Sequence, residues 1–159
     1  MADNAMVMST NDSMPTEKCG GFDMRITGNC VAVAGYDKGN PNVKIPPEYK
    51  NMPVTCIEKE AFCDKEIASV DIPDSIKEIG YRAFADNKLT KITIPNDVKI
   101  CDQAFAGNNI TTITFGDNVT MEGQNAFDGN FSTFYVNRSK GTYTRDGYRW
   151  IGARAGDGH

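Results

Sequence analysis

Histidine is almost missing from this 159-residue chain: the one present, His159, is the last residue. Ser-His and Cys-His nucleophile pairs and imidazole-ligated metals therefore have nothing to build on in an ordered site. Long apolar runs are missing too. Stretches such as Cys30 to Ala34 fall far short of the roughly 18 residues a membrane-spanning helix needs, so no membrane insertion is expected. The opening residues Met1 to Met8 lack the basic segment and apolar core of a secretory leader, which leaves open an intracellular chain or one without its leader. Excess positive charge is also absent. Lys plus Arg number 17 against 21 Asp plus Glu, a net charge of −4, with a pI near 5.0. Nucleic acid is a poor partner for such a surface.

Cysteine is present but unpatterned. Cys19, Cys30, Cys56, Cys63 and Cys101 are odd in number and form no Cys-x-x-Cys, which excludes a zinc knuckle and a thioredoxin-like motif. Small half-buried thiols are the simplest reading. In an oxidising compartment one or two disulfides are open to them, Cys19 with Cys30 for instance, and spacing does not fix the connectivity. With 40% hydrophobic and 24% charged residues, the composition is that of one folded domain.

What the chain does have is a repeat. Ala61-Phe62, Ala83-Phe84, Ala104-Phe105 and Ala126-Phe127 recur at intervals of 22, 21 and 22. The same frame returns within each interval as Ile67-x-x-Val70-x-Ile72-Pro73, Leu89-x-x-Ile92-x-Ile94-Pro95, Ile110-x-x-Ile113-x-Phe115 and Phe131-x-x-Phe134-x-Val136. A degenerate first member, Val43-x-Ile45-Pro46 with Val54-x-x-Ile57, brings the count to about five. The alternating apolar positions predict a short strand with one face buried. Proline directly after it has no amide donor, so each strand should end at a corner. Ile76 with Ile79, Val98 with Ile100 and Val119 with Met121 then supply inward residues for a return segment. A unit of about 22 residues cannot bury its own apolar side, whereas units stacked at the roughly 4.8 Å strand spacing can. The expected fold is a mainly β solenoid of about five short coils with little helix.

Asn87, Asn108 and Asn130 each follow the repeat phenylalanine by three residues and read as inward amides that satisfy turn backbone. Thr90, Thr111 and Ser132 share a register and read as makers of local bonds. Residues 1–18 carry no period and read as a flexible tail, 19–50 as an N-terminal cap with the degenerate coil, 51–138 as the repeats, and 139–159 as a C-terminal cap and short tail. Within the first cap, Met24, Ile26, Cys30, Ala32 and Ala34 alternate around Thr27-Gly28-Asn29 as a hairpin. Within the last, Gly141 to Trp150 reads as a second hairpin turning at Asp146-Gly147, weighted by Tyr143 and Trp150.

The frame Ile67-x-x-Val70-x-Ile72-Pro73-x-x-Ile76-x-x-Ile79-Gly80-x-x-Ala83-Phe84 resembles the BspA-like class of leucine-rich repeats, most specifically over about residues 52–136. The closing Gly-Thr-Tyr-Thr-Arg with Trp150 is similar to the element that ends such arrays, and Val31 to Tyr36 to their opening segment. The resemblance implies a β-rich solenoid and a surface or secreted recognition role towards host proteins, matrix or other cells, with no common catalytic residues. Three departures bear on local geometry: Phe115-Gly116 stands where Ile-Pro is expected, one residue is missing between Val98 and Ile100, and Cys101 replaces the equivalent of Gly80.

The outward strand positions are Ser69 and Asp71, Lys91 and Thr93, Thr112 and Thr114, Thr133 and Tyr135. They are expected to form one contiguous sheet face, with Tyr135, Lys91 and Asp71 as anchors for a protein or glycan partner. The chain is read as a non-catalytic, monomeric adhesion module needing no cofactor, and the alternative is a structural component of an envelope, appendage or virion. Asp64 and Asp86 occupy equivalent turn positions and read as solvated turn residues rather than calcium ligands. The Asn-x-Ser/Thr triplets at Asn11, Asn109, Asn118, Asn130 and Asn137 arise partly from the repeat itself. Asp71 with Glu78 or Asp74 is the one carboxylate pairing open to acid-base chemistry, and no spacing brings them together.

Overall fold

Short outward-polar, inward-aliphatic segments closed by a corner residue give stacked coils when their inward sides meet. The computed structural model, which describes residues 14–123, 125–128, 140–146 and 149–154, has that architecture. On the face wall stand β4 (Asn42–Lys44), β7 (Ser69–Asp71), β9 (Lys91–Ile94) and β11 (Thr112–Phe115). On the flank wall stand β6 (Met52–Ile57), β8 (Glu78–Ile79), β10 (Lys99–Ile100) and β12 (Thr120–Met121), paired in parallel as β6-β8-β10-β12. Four rungs per wall account for the degenerate coil and the three that follow it, and residues 131–136 of the next repeat lie outside the described residues. Among the described residues there is no helix, and so none long and apolar enough to cross a membrane.

The core lies between the walls. Phe62, Phe84, Phe105 and Phe127 stack with ring centroids 4.8, 5.3 and 4.9 Å apart and planes within 7°. Offset ring pairs of this kind contribute about 0.5–1.5 kcal/mol each beyond their buried area. Phe22 and Tyr36 close the stack at one end, and Phe115 with Tyr143 packs beside Phe127 at the other. The asparagine reading holds for Asn87 and Asn108. Asn87 Oδ1 accepts from the amides of Lys65 and Ile67 at 3.0 Å, while its Nδ2 donates to the carbonyls of Phe62 and Phe84. Asn108 repeats the arrangement with Leu89, Phe84 and Phe105. Each amide thus ties its own turn to the coil before it. Thr111 Oγ1 likewise donates to the Thr90 carbonyl at 3.3 Å.

The caps differ in detail from the sequence expectation. In the N-terminal cap β1 (Glu17–Cys19), β2 (Phe22–Thr27) and β3 (Cys30–Tyr36) run antiparallel, and β3 then starts the flank ladder by pairing in parallel with β6. Strand thus begins at Glu17, inside the segment read as tail. Thr27 pairs with Cys30, so the turn is Gly28-Asn29, with Gly28 at φ 65° in the left-handed region that glycine tolerates. Pairing outward from that turn sets Ile26 opposite Val31 and Met24 opposite Val33, so Val31 and Val33, rather than Cys30 and Ala34, take the fully buried places, and a register shift beyond Met24 sets Asp23 opposite Gly35. A further short strand, β5 (Glu48–Tyr49), folds antiparallel onto β6.

At the other end β13 (Gly141–Asp146) and β14 (Arg149–Arg154) form the expected hairpin, with Asp146 paired to Arg149. Asp146 is therefore the last residue of its strand. β13 pairs antiparallel with β11, Thr112 opposite Thr144 and Thr114 opposite Thr142, so the closing hairpin extends the face wall directly.

Candidate partner-binding face

Residues one apart on a strand point to opposite sides, so each face strand offers two outward positions. They fall in two rows, Asn42, Ser69, Lys91, Thr112 and Thr144 in one, Lys44, Asp71, Thr93, Thr114 and Thr142 in the other. Six of the eight residues singled out from the sequence are brought together here. Ser69, Asp71, Lys91 and Thr93 are exposed and Thr112 and Thr114 half-buried. Thr133 and Tyr135 lie outside the described residues. The large apolar side chain shown at this end is Ile151, opposite Thr144 and 51% exposed.

The face is not one sheet. β4 pairs with β7, and β9, β11, β13 and β14 form a separate four-stranded sheet, with no ladder between β7 and β9. The cause lies at the corner after β7. Six residues separate Ile72 from Ile79, against five between Ile94 and Ile100 and five between Phe115 and Met121. Asp97 and Asn118 hold equivalent corner positions in the left-handed region, at φ 61° and 58°, whereas Ser75 does not. Coil two therefore leaves the face by a different and longer turn, and Val70 stays half-buried where Ile92 and Ile113 are buried. An open groove of about 440 Å³ lies along the break, lined by Val43, Val70, Ile72, Lys44, Asp71 and Thr93 together with Asn42 and Ser69.

Three charges of the face are uncommitted, two of them, Lys44 and Asp71, on the groove. Lys44 stands opposite Asp71 in the ladder, yet among the described residues no ion pair engages Lys44, Asp71 or Lys91. Some charges elsewhere are paired with one another. Lys38 and Lys88 both hold Glu66, at 2.6 and 3.3 Å, and their hydrogen bonds keep its carboxyl below the usual range. Hydroxyls on the face are partly shared: Ser69 Oγ donates to Asn42 Oδ1 at 2.8 Å, and Thr114 and Thr142 meet at 3.1 Å.

The remaining candidates resolve as structure. Asp64 and Asp86 hold left-handed backbone at φ 56° and 58°, and Asp86 is tied to Arg82 at 2.6 Å. Among the described residues no three His, Cys, Asp or Glu side chains gather as metal ligands. All five cysteines are free thiols. Burial pushes the Cys56 thiol up to about 12, aided by the Glu78 carboxylate 4.0 Å away, and burial raises Cys101, 3.9 Å from the same carboxylate. Both are poor nucleophiles. Asp71 and Glu78 sit on opposite walls, so that carboxylate pairing is not assembled.

Sequence reasoning missed the groove and the contributions of Asn42, Lys44, Thr142 and Thr144. The signals were present: the longer corner of coil two, and the Thr-x-Thr of residues 112–114 repeated at 142–144.

A filled solenoid of short parallel coils with one open polar strand face is a leucine-rich-repeat scaffold. Residues 41–144 match the BspA type leucine rich repeat region in six copies, and the chain belongs to that family. Leucine-rich-repeat proteins are generally interaction or surface modules. A leucine-rich repeat protein from Bacteroides capillosus is 28% identical, covering 68% of this chain and 99% of that one, with a TM-score of 0.46. A leucine rich cell surface protein from Faecalibacterium prausnitzii is 21% identical, with a TM-score of 0.46, the match covering 76% of this chain and 48% of that one. The T. pallidum leucine-rich repeat protein is 14% identical over 67% of this chain and 86% of its own, with a TM-score of 0.36. Comparison with curated proteins gives no match.

Proposed function

We propose that the chain is a non-catalytic recognition module, displayed at a cell surface or secreted, that binds a protein or glycan partner through its strand face. The observation that carries this is the presence of three exposed charges without ion pairs, Lys44, Asp71 and Lys91, on a wall whose strands are fixed by a packed core. Side chains on such a wall have little core duty, and the ladder holds them at fixed spacing, so little ordering cost remains for binding. Family membership supports the surface setting, and the net charge of −4 favours partners other than nucleic acid.

The test is binding to immobilised matrix proteins and a glycan array by the chain and by an Asp71→Arg/Lys91→Glu/Thr114→Arg variant, with light scattering at two concentrations. A monomer whose binding falls at least tenfold in the variant is the expected outcome. Undiminished binding, or a concentration-independent oligomer, would move the assembly reading ahead.

A further inference from the structure

A strand at the end of a sheet invites another strand unless something blunts it. Among the described residues the two walls end in four strands, and three of these are blunted. β4 is three residues long, carries Lys44, and has its Asn42 amide taken by the Asn40 side chain at 2.9 Å. β1 is also three residues, with Lys18 at its centre, and β12 is two. β14 is different. It runs for six residues along the edge of the four-stranded face sheet, with Trp-Ile-Gly-Ala between its terminal arginines. Its Ile151 is 51% exposed, the most exposed large apolar side chain among the described residues. The backbone of this strand is also turned outward at its centre. Antiparallel partners exchange both backbone bonds at every second pair. Arg145 donates to the Thr111 carbonyl at 2.8 Å, so the backbone groups of Arg145 and Tyr143 turn towards β11, and those of Thr142 and Thr144 towards β14. Their partners there are Ala153 and Ile151. The N–H and C=O of Gly152, between those two, therefore point away from β13 and off the edge of the sheet.

We infer that β14 is the seam of a two-fold dimer, in which it pairs antiparallel with β14 of a second copy about Gly152. Each Gly152 N–H then donates to the carbonyl of the other. The register sets Ile151 opposite Ala153 of the second copy on both halves of the seam, positions that lie in the outward rows beside Thr144 and Thr142. Residues so placed are contact neighbours, and the exposed Ile151 loses water there. Arg154 falls opposite Trp150, so no arginine of β14 meets an arginine. A second copy is the occupant this strand fits, because self-pairing lays its uncharged centre on the same uncharged centre and closes the assembly at two. The two-fold axis stands normal to the sheet, so the two four-stranded sheets become one continuous sheet with both faces on the same side. So short a seam covers well under the roughly 1,200 Å² of a standard interface, so the diluted chain is a monomer and pairing sets in towards about 1 mM. Copies held side by side on a surface reach such effective concentrations, and the joined faces then grip a repeating partner together. This inference goes beyond the reading of the face in a single copy, which stands or falls without it.

The test is sedimentation equilibrium of the chain from about 10 µM to about 1 mM, with hydrogen exchange at the two extremes. The chain is compared with Gly152→Pro, Ile151→Lys and Thr93→Val, each checked for an unchanged melting temperature. Proline at 152 removes a donor that β13 does not use, which an edge strand tolerates, and lysine at 151 puts a charge on the seam. The expected result is a monomer–dimer equilibrium in the chain and in Thr93→Val, weakened at least tenfold in the other two. The Gly152 amide should exchange at least tenfold more slowly at the higher concentration, while the Ile151 amide, already bonded to Thr144, stays as it was. No association, association beyond a dimer, or a dimer that Ile151→Lys keeps overturns the inference. So does a dimer that leaves Gly152 exchange unchanged. Should Gly152→Pro fail to fold, Ile151→Lys and the exchange of the unaltered chain decide the matter.

Discussion

The two walls of this solenoid are built from the same coils, yet the flank ladder runs unbroken from β3 to β12 while the face ladder parts between β7 and β9. The extra residue of coil two lies between the walls, so the slack had two places to go. On the flank it is refused. Gly80 donates to the Ile57 carbonyl at 2.8 Å, Cys101 to Ile79 at 2.9 Å and Glu122 to Ile100 at 2.8 Å, each next to a core residue, and Ile57, Ile79 and Ile100 are wholly buried. The face strand β7 holds Val70, the least buried residue of its column, and gives way instead. A repeat array therefore tolerates unequal coils by opening the wall whose core residues grip least, and here that wall carries Lys44, Asp71 and Lys91.

The sharpest way to break the comparison is to break the flank. A Cβ on Gly80 would stand 2.8 Å from the Lys59 amide nitrogen and 2.9 Å from the Ile57 carbonyl oxygen, both backbone atoms that cannot swing aside. Gly80→Val is expected to cost about 3 kcal/mol or more, because the two coils must separate. Thr93→Val, an exposed change on the face, should stay within about 0.5 kcal/mol. Urea unfolding of both variants decides it, and comparable losses would mean that the flank is not the tighter wall.

A second change should instead heal the face. Deleting Lys77 together with Ser75→Asn gives coil two the corner length of its neighbours and an asparagine in place of Ser75, as Asn118 stands in coil four. The expected result is a β7–β9 ladder, seen as at least tenfold slower exchange of the Val70 amide, and a gain of about 1 kcal/mol from the new hydrogen bonds. Unchanged exchange would place the origin of the break elsewhere than in the corner.

Much of this was written in the sequence, and what was not has a physical cause. The period of the phenylalanines and the Asn87/Asn108 ladder were legible because each repeats against an identical neighbour, so one coil explains the next. Pro73 and Pro95 marked the corners for the same reason. The break was harder to read. The one-residue difference was visible between Val98 and Ile100, but which wall absorbs it depends on packing density, and residue spacing carries no packing density. β13 beside β11 was illegible for another reason: a closing hairpin competes with the next coil for the same edge, and Thr142 and Thr144 satisfy the face pattern as well as repeat residues do. Val31 and Val33 were misassigned because the turn is Gly28-Asn29 alone, without Thr27, which sets them opposite Ile26 and Met24, and a one-residue slip of register exchanges the two sides of a strand.

The flank also differs from the face in how it titrates. The folded chain holds the Cys56 proton up to about 12, against an ordinary value of 9.0, because burial penalises the thiolate and Glu78 repels it. Unfolding between those values releases a proton, so the native state binds more protons and stability falls as pH rises through that window, having been fully present below it. Cys56→Ser should flatten this alkaline slope, while Lys91→Met on the face should leave it intact. Denaturant midpoints at pH 8, 9 and 10 measure both, and an unaltered slope in Cys56→Ser would assign the alkaline loss to other groups.

The smallest effect concerns the corner itself. Ser75 Oγ is buried without a hydrogen-bond partner among the described residues, at the position where Asp97 takes left-handed backbone and accepts from Asn118 Nδ2 at 3.0 Å. A buried hydroxyl with no partner costs its desolvation, and alanine removes that cost without straining a backbone that is not left-handed. Ser75→Ala should therefore gain about 0.5 kcal/mol, whereas Asp97→Ala places a Cβ without a polar side chain in the left-handed region and should lose about 1 kcal/mol. Opposite signs at equivalent positions would show that the corners of coils two and three are different turns. Losses at both would mean that Ser75 is held by a bond of its own, and the account of the broken face would then need another starting point.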